Sequence, residues 1–173
     1  MGVTSIRRAT VSDAEYISLL GRVTFSETFG ALFRDKQDLL LYYERTFSVQ
    51  KIRNSIANAN NAFWIAFVNE LPVGYAKLKL KSGSPFINSN EVSQLQKIYV
   101  LKDFISLKIG RELQNSVLAK AIENKSEYIW LSVLESNNRA IAFYKKNDFS
   151  QVGNHDFQIG KEGFSFIVMS RIL

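Results

Sequence analysis

Residues 95–113 read "LQKIYVLKDFISLKIGREL", and the change of periodicity inside this stretch decides the fold. "LQKIYV" is a strand-like run, and after a short break the apolar residues recur at helical spacing through "GRELQNSVLAKAIE" at 110–123. Where a strand turns into a helix in this way, free backbone N–H groups and the positive end of the helix dipole attract anions. Loops that wrap phosphates are usually glycine-rich, because the backbone must come close to the ligand. This one has Gly110 alone. Taken by itself, the loop fits an anion site or a plain turn.

Working outward, the strand spans 92–100, the helix runs from about 106 to 124, and "YIWLSVL" at 128–134 is a second strand. A parallel pair needs a crossover helix, and this segment supplies one. Upstream, "SIRRAT" reads as a first strand, followed by a helix in "VSDAEYISLLGRVTFSETF". Ser12 or Asp13 caps that helix, and Ile17, Leu19, Leu20, Val23 and Phe25 form its apolar face. "KQDLLLYYERTFSVQKIRNSIANAN" reads as two helices with a break near Phe47-Ser48. "AFWIAFVNE" and "VGYAKLKLK" read as a hairpin turning around Leu71-Pro72. "SGSPFINSNE" is the one loop-like stretch.

Downstream, the short helix "NNRAIAFYKKN" leads into a closing antiparallel pair, "FSQVGNHDF" and "FSFIVMSRIL". With no internal repeat or linker, residues 1–173 form one domain. The order predicts an α/β (α+β) fold with a mixed, mostly antiparallel sheet rather than a doubly wound parallel one.

Composition narrows the chemistry. The 173 residues are 46% hydrophobic and 22% charged, with no cysteine and a single histidine, His155. Disulfides, a thiolate nucleophile, cysteine-ligated zinc and a multi-histidine metal centre are all excluded, so no metal is expected. No G-x-S-x-G elbow supports a serine triad. Catalysis has to rest on Tyr, Glu, Asp, Lys, backbone groups or water. No apolar run is long enough to span a bilayer and no signal-peptide pattern opens the chain, so the expectation is a cytoplasmic protein without a membrane partner. The net charge of +6 favours anionic ligands. Nucleic acid and a phosphorylated cofactor are both candidates, but the basic residues are scattered and fit a solvated surface equally well, so charge alone does not choose; no nucleic-acid partner is expected.

Three stretches together resemble the GNAT (Gcn5-related N-acetyltransferase) superfamily: "LQKIYVLKDFISLKIGREL", "YIWLSVLESNNRAIAFYKKNDF" and the hairpin "AFWIAFVNELPVGYAKLKL". Within it, "VTFSETF", "IWLSVLESNNRAIAFYKK" and "GNHDFQIG" are most similar to the bacterial spermidine/spermine N-acetyltransferase branch. The family loop is usually Gln/Arg-x-x-Gly-x-Gly/Ala. Here those positions read Ile105-Ser106-Leu107-Lys108-Ile109-Gly110, so Lys108 stands where the first glycine is usual. Lys108 must therefore either keep a negative φ or accept modest strain. "DF" at 148–149 replaces the usual Gly-Phe, and Asp tolerates a left-handed turn.

The resemblance implies that the fourth and fifth strands splay apart and admit acetyl-CoA. The pantetheine arm would lie along the backbone of Ile98, Tyr99 and Val100, with the pyrophosphate on the N–H groups from Ile105 through Arg111. Lys108 and Arg111 would add charge, and Asn137 and Ala140 would also meet the cofactor. Asn137 fits a helix N-cap equally well. Tyr144, seven residues after Asn137, matches the family's general acid, although a buried tyrosine also serves a core. The general base is missing: Gln94 and Gln96 lie where relatives often have Glu and cannot take a proton. A water relay or a carboxylate such as Glu27 must substitute. Glu27, Tyr42 and Tyr43 would hold a polyamine's cations, unless the tyrosines are core and Glu27 a solvated charge. Acetylation of protein or other small amines, and a non-catalytic CoA-binding module, remain alternatives. A homodimer is left open.

Overall fold

The computed structural model describes residues 4–173. Strand β1 (Thr4–Arg8) is followed by α1 (Ala14–Phe29), α2 (Lys36–Phe47) and α3 (Val49–Ala57). Then come β2 (Asn61–Val68), β3 (Leu71–Lys79), β4 (Val92–Val100), α4 (Ile109–Glu123), β5 (Tyr128–Leu134), α5 (Asn138–Lys146), β6 (Ser150–Ile159) and β7 (Glu162–Ile172). The strands form one seven-stranded sheet in the order β1-β2-β3-β4-β5-β7-β6. Every neighbouring pair is antiparallel except β4 and β5, as expected from the helix between them.

Both faces of the sheet are covered. Ala62, Trp64, Ala66, Ala76, Leu78, Leu95, Ile129 and Leu131 pack under α4 and α5. Phe63, Ile65 and Tyr75, the alternate residues of the same strands, pack under α1, α2 and α3. A strand buried on both faces reads as a continuous apolar run, which is why "AFWIAFV" shows no alternation.

The helical region breaks at Phe47-Ser48 as the sequence predicts, with the Ser48 hydroxyl accepting from the Lys51 N–H at 3.4 Å. The hairpin turn, however, lies at Asn69-Glu70, with φ of 47° and 68°, and Leu71-Pro72 already belong to β3. Two successive left-handed residues give a turn whose twist suits a tight hairpin. Pro72 is tolerated in β3 because the β2–β3 register shifts beside it, between Ala66 and Phe67.

In α1, Ile17, Leu20 and Phe25 face the core, but Leu19 and Val23 are 62% and 37% exposed. The buried stripe is completed by Ser18, Gly21 and Thr24 instead. Gly21 is required there, since a Cβ would stand 2.4 Å from the ring of Phe47. The expected cap is also different. Asp13 precedes α1, yet its carboxylate turns back to accept from the Thr10 N–H at 2.8 Å and from both Arg7 Nη atoms at 2.8 Å. The long helix expected from 106 begins as a 3-10 turn over Lys102–Leu107, and α4 starts only at Ile109.

Candidate active site

The site is opened by a failure of pairing. β4 and β5 are partners over Val92–Gln94 and Tyr128–Trp130 alone, while β5 stays paired to β7 along its whole length. The β3–β4 register shifts between Lys77 and Leu78, whose partners are Lys97 and Leu95, so Gln96 is an extra residue. A bulge of this kind bends its strand. It turns β4 away from β5 immediately after their last pair.

Beyond that point the β5-facing edge of β4 has no strand partner among the described residues. The Leu101 N–H donates to the Val73 carbonyl at 2.9 Å. By the alternation of an antiparallel ladder, Tyr99 also turns its backbone groups toward β3, and Ile98 and Val100 turn theirs into the opening. An extended ligand can pair with such an edge as an added strand does.

At the end of β4 the chain makes the 3-10 turn and enters α4 through Lys108, whose φ of 62° and ψ of 11° are left-handed. Of the two outcomes open to a lysine here, the chain takes the strained one. The position keeps the geometry of a glycine without being one, at a cost of about 1–2 kcal/mol. The Arg111 and Glu112 N–H groups bond the Lys108 carbonyl at 3.0 and 3.3 Å. Ile109 is fully buried and anchors the turn, whereas Ser106, Leu107, Lys108 and Arg111 are exposed, and Ile105 and Gly110 are half-buried. A Cβ on Gly110 would meet Phe143 at 4.0 Å, an ordinary contact, so this glycine is not forced by packing.

On the same face, α5 begins at Asn137, whose Oδ1 accepts from the Ala140 N–H at 3.1 Å. The side chain is thus an N-cap through its oxygen. Tyr144 is buried, with its ring edge-on to Phe143 at 5.3 Å and to Phe149 at 5.6 Å. Among the described residues its hydroxyl has no hydrogen-bond partner. Burial, with a smaller contribution from Tyr99, pushes its pKa well up. The phenol stays protonated across the working range.

The opposite face of the opening is built from α1, α2 and β4. Here the predicted cation-holding residues differ in exposure. Glu27 is exposed, and its Oε2 accepts from the Lys102 N–H at 3.2 Å, just past the end of β4. Tyr42 is half-buried, tilted against Phe25 at 4.7 Å. Tyr43 is buried, and among the described residues its hydroxyl has no partner. Near Tyr42 stands Lys97, a residue with no signal in the sequence. Its Nζ lies 5.2 Å from the Phe47 ring centre and 5.4 Å from that of Tyr99. Burial pulls its pKa down, against a smaller upward pull from Tyr42. Burial alone raises Tyr99. The Gln94 Oε1 accepts from the Ser82 hydroxyl at 3.2 Å, and Trp130 Nε1 donates to the Ser82 carbonyl at 2.7 Å.

A second pair unforeseen in the sequence lies on β5 and β6. Ser132 Oγ is 2.9 Å from His155 Nε2. The two are 23 residues apart with β7 between their strands. Only the position of His155 as the sole histidine hinted at it.

A model of the acetyltransferase (GNAT) family matches residues 26–149. An uncharacterized N-acetyltransferase of Lactobacillus delbrueckii subsp. lactis is 25% identical over 99% of both chains. An N-alpha-acetyltransferase of Sulfolobus acidocaldarius is 27% identical, covering 92% of this chain and 88% of its own. Among solved structures, PaiA N-acetyltransferase from Thermoplasma acidophilum in complex with coenzyme A superposes with a TM-score of 0.80 at 20% identity, over 99% of each chain.

Proposed function

The chain belongs to the acetyltransferase (GNAT) family, and we propose that it transfers the acetyl group of acetyl-CoA directly to a primary amine held beside the opening between β4 and β5. The observation that carries this reading is the end of β4–β5 pairing at Gln94 and Trp130. The residues around it suit the cofactor. The backbone of Ile98 and Val100 would hold the extended arm, with Tyr99 between them. The helix start from Ile105 to Arg111 would hold the phosphates, helped by the Lys108 and Arg111 cations. Asn137 and Ala140, at the start of α5, would flank them.

Bound there, acetyl-CoA supplies an activated acetyl group. Tyr144 holds a proton at Oη for a departing thiolate, as a general acid does. With no cysteine in the chain to carry an acetyl group, direct transfer is the simplest route.

A polyamine is the finer reading of the acceptor. It is supported by the exposed carboxylate of Glu27 and the half-buried ring of Tyr42; Tyr43, being buried, would back that ring rather than touch the ligand. One observation favours a second reading. Lys97 already places an ammonium among these aromatic rings, with no carboxylate in ion-pair reach among the described residues. An acceptor bearing an anionic group beside its amine would complement it, as a peptide N-terminus with an acidic side chain does.

Thiol release from acetyl-CoA with spermidine, simple alkyl amines and peptide N-termini, read beside calorimetric CoA binding, tests the reading. Release with at least one amine class is expected. Binding without release for any amine would leave a non-catalytic CoA-binding protein. Absence of both would overturn the proposal.

A further inference from the structure

We propose that the acceptor ammonium loses its proton to a two-residue relay in which Ser132 meets the amine and His155 takes the proton from Ser132. The inference rests on the acetyl-transfer reading above and supplies the base that Gln94 and Gln96 cannot provide.

Position comes first. Side chains alternate along β5, and Ile129, Leu131 and Val133 all lie in the core under α4 and α5. Ser132 therefore projects from the other face. It stands two residues past Trp130, the last residue of β5 paired with β4, so it borders the opening where the strands have parted. Across that opening, Lys97 and Tyr99 project from β4 on the same face, as the contacts of Lys97 with Phe47 and of Tyr99 with Tyr75 fix.

The histidine is held for the task. Its ring lies flat on Phe166, with centres 5.4 Å apart and planes 9° apart, and Phe166 in turn lies against Phe29 of α1 at 6.3 Å. Nδ1 is 3.4 Å from the Asp156 carbonyl. That neighbour favours the proton on Nδ1 and leaves the Nε2 lone pair for the Ser132 hydroxyl. His155 is exposed, so it can return the proton to solvent.

Among the described residues, β5 presents Ser132 to the imidazole and β7 presents Phe166, which Phe29 of α1 backs, while the loop before β4 lays Phe86 over Gly153. Asp156, the next residue along β6, belongs to its other face, where it accepts from the Ser165 hydroxyl at 2.7 Å. Glu27 is engaged by the Lys102 N–H at 3.2 Å.

The proton balance is simple. An ammonium N–H bond breaks as Ser132 Oγ takes that proton, while the serine's own O–H proton passes to His155 Nε2. The amine becomes neutral and nucleophilic, the hydroxyl is restored, and the imidazole carries the charge until water removes it.

The test compares kcat/KM against pH for the wild type, Ser132→Ala, His155→Gln and the double variant, using the best amine of the panel. Each single variant should fall by about 10²-fold near neutral pH, in the range of a lost general base. The double variant should fall no further, because the two act as a unit. The acid limb contributed by the imidazole should vanish in all three, leaving only the limb of the amine itself. CoA binding by calorimetry and Tm should stay near wild type. Single variants with wild-type rates, or with a loss that is equal at every pH, would overturn the relay while leaving acetyl transfer intact. A wild type that releases no thiol with any amine would overturn both.

Discussion

Lys77 and Lys97 are cross-strand partners on β3 and β4, with both side chains on the face covered by α1, α2 and α3. Neither has a carboxylate in ion-pair reach among the described residues. Their cations are met instead by rings, Lys77 by Phe63 at 5.5 Å and Lys97 by Phe47 at 5.2 Å. Like charges directly opposite are unfavourable, and this pair sits beside the candidate acceptor site. The fold thus keeps an uncompensated positive centre where an anion would relieve it.

That centre sets a pH dependence of stability. Burial, with smaller repulsions from Lys97, Lys79 and Lys51, lowers the Lys77 pKa from 10.5 to about 8. The native state therefore binds fewer protons than the unfolded chain between these values, so stability rises with pH through that window. Above pH 10 the trend reverses, because burial raises Tyr75, Tyr99 and Tyr144, and the unfolded chain loses their protons first. Urea melts from pH 7 to 11 should show a maximum near pH 10. Lys77→Met should gain about 1–2 kcal/mol at pH 7 and flatten the rise. A rise unchanged in the variant would locate the effect elsewhere.

Tyr144→Phe keeps the packing against Phe143 and Phe149 and removes only the hydroxyl. Turnover should fall by roughly 10²-fold with CoA affinity little changed. Steady-state kinetics beside calorimetry decide this, and unchanged turnover would return the residue to the core.

Lys108 separates geometry from charge. At its φ of 62°, Lys108→Gly relieves strain but loosens the unfolded chain, for a net gain of about 0.5–1 kcal/mol. Lys108→Ala keeps the strain and removes the charge. Both should bind CoA a few-fold to about tenfold more weakly and with less salt dependence. Tighter binding by Lys108→Gly alone would show that the lysine impedes the loop.

Asp13 is nearly buried and takes a two-pronged contact from Arg7, which, ahead of the Thr10 N–H, holds its carboxyl below the usual range. Its contribution is complete above the unfolded carboxyl's pKa of about 3.9 and is lost as pH falls further. Asp13→Asn should cost about 2 kcal/mol at pH 7 in denaturant melts and nothing near pH 2. Equal losses at both pH values would assign the effect to packing.

The strands bounding the opening were legible in the sequence to the residue: β5 is a mostly apolar run closed by polar breaks, and β4 lies between the polar loop before it and the helical spacing after it. The break at Phe47-Ser48 was legible as well, and so was the left-handed Asp148, with φ of 66°, because Asp tolerates the turn at which the resemblance has Gly. The bulge at Gln96 was not, since it exists only relative to the register of β3. Leu19 and Val23 misled because the buried side of α1 is made by Ser18, Gly21 and Thr24, small residues that admit Phe47. Lys97 gave no signal, because a lysine in a strand ordinarily marks the solvent face. Ser132 and His155 meet across β7, a relation no local spacing records.

The broken ladder has one more effect, on solvent exchange. Ile98 and Val100 lie in the middle strand of a seven-stranded sheet, where amides are ordinarily the slowest to trade their protons for deuterium. Here their N–H groups face the opening, so in the free chain they should label as quickly as a sheet rim, while the Tyr99 amide between them, bonded toward β3, stays slow. The fast–slow–fast pattern across three consecutive residues would collapse to uniform protection once an extended ligand lies along β4. Deuterium uptake at these amides therefore reports occupancy of the site without any turnover.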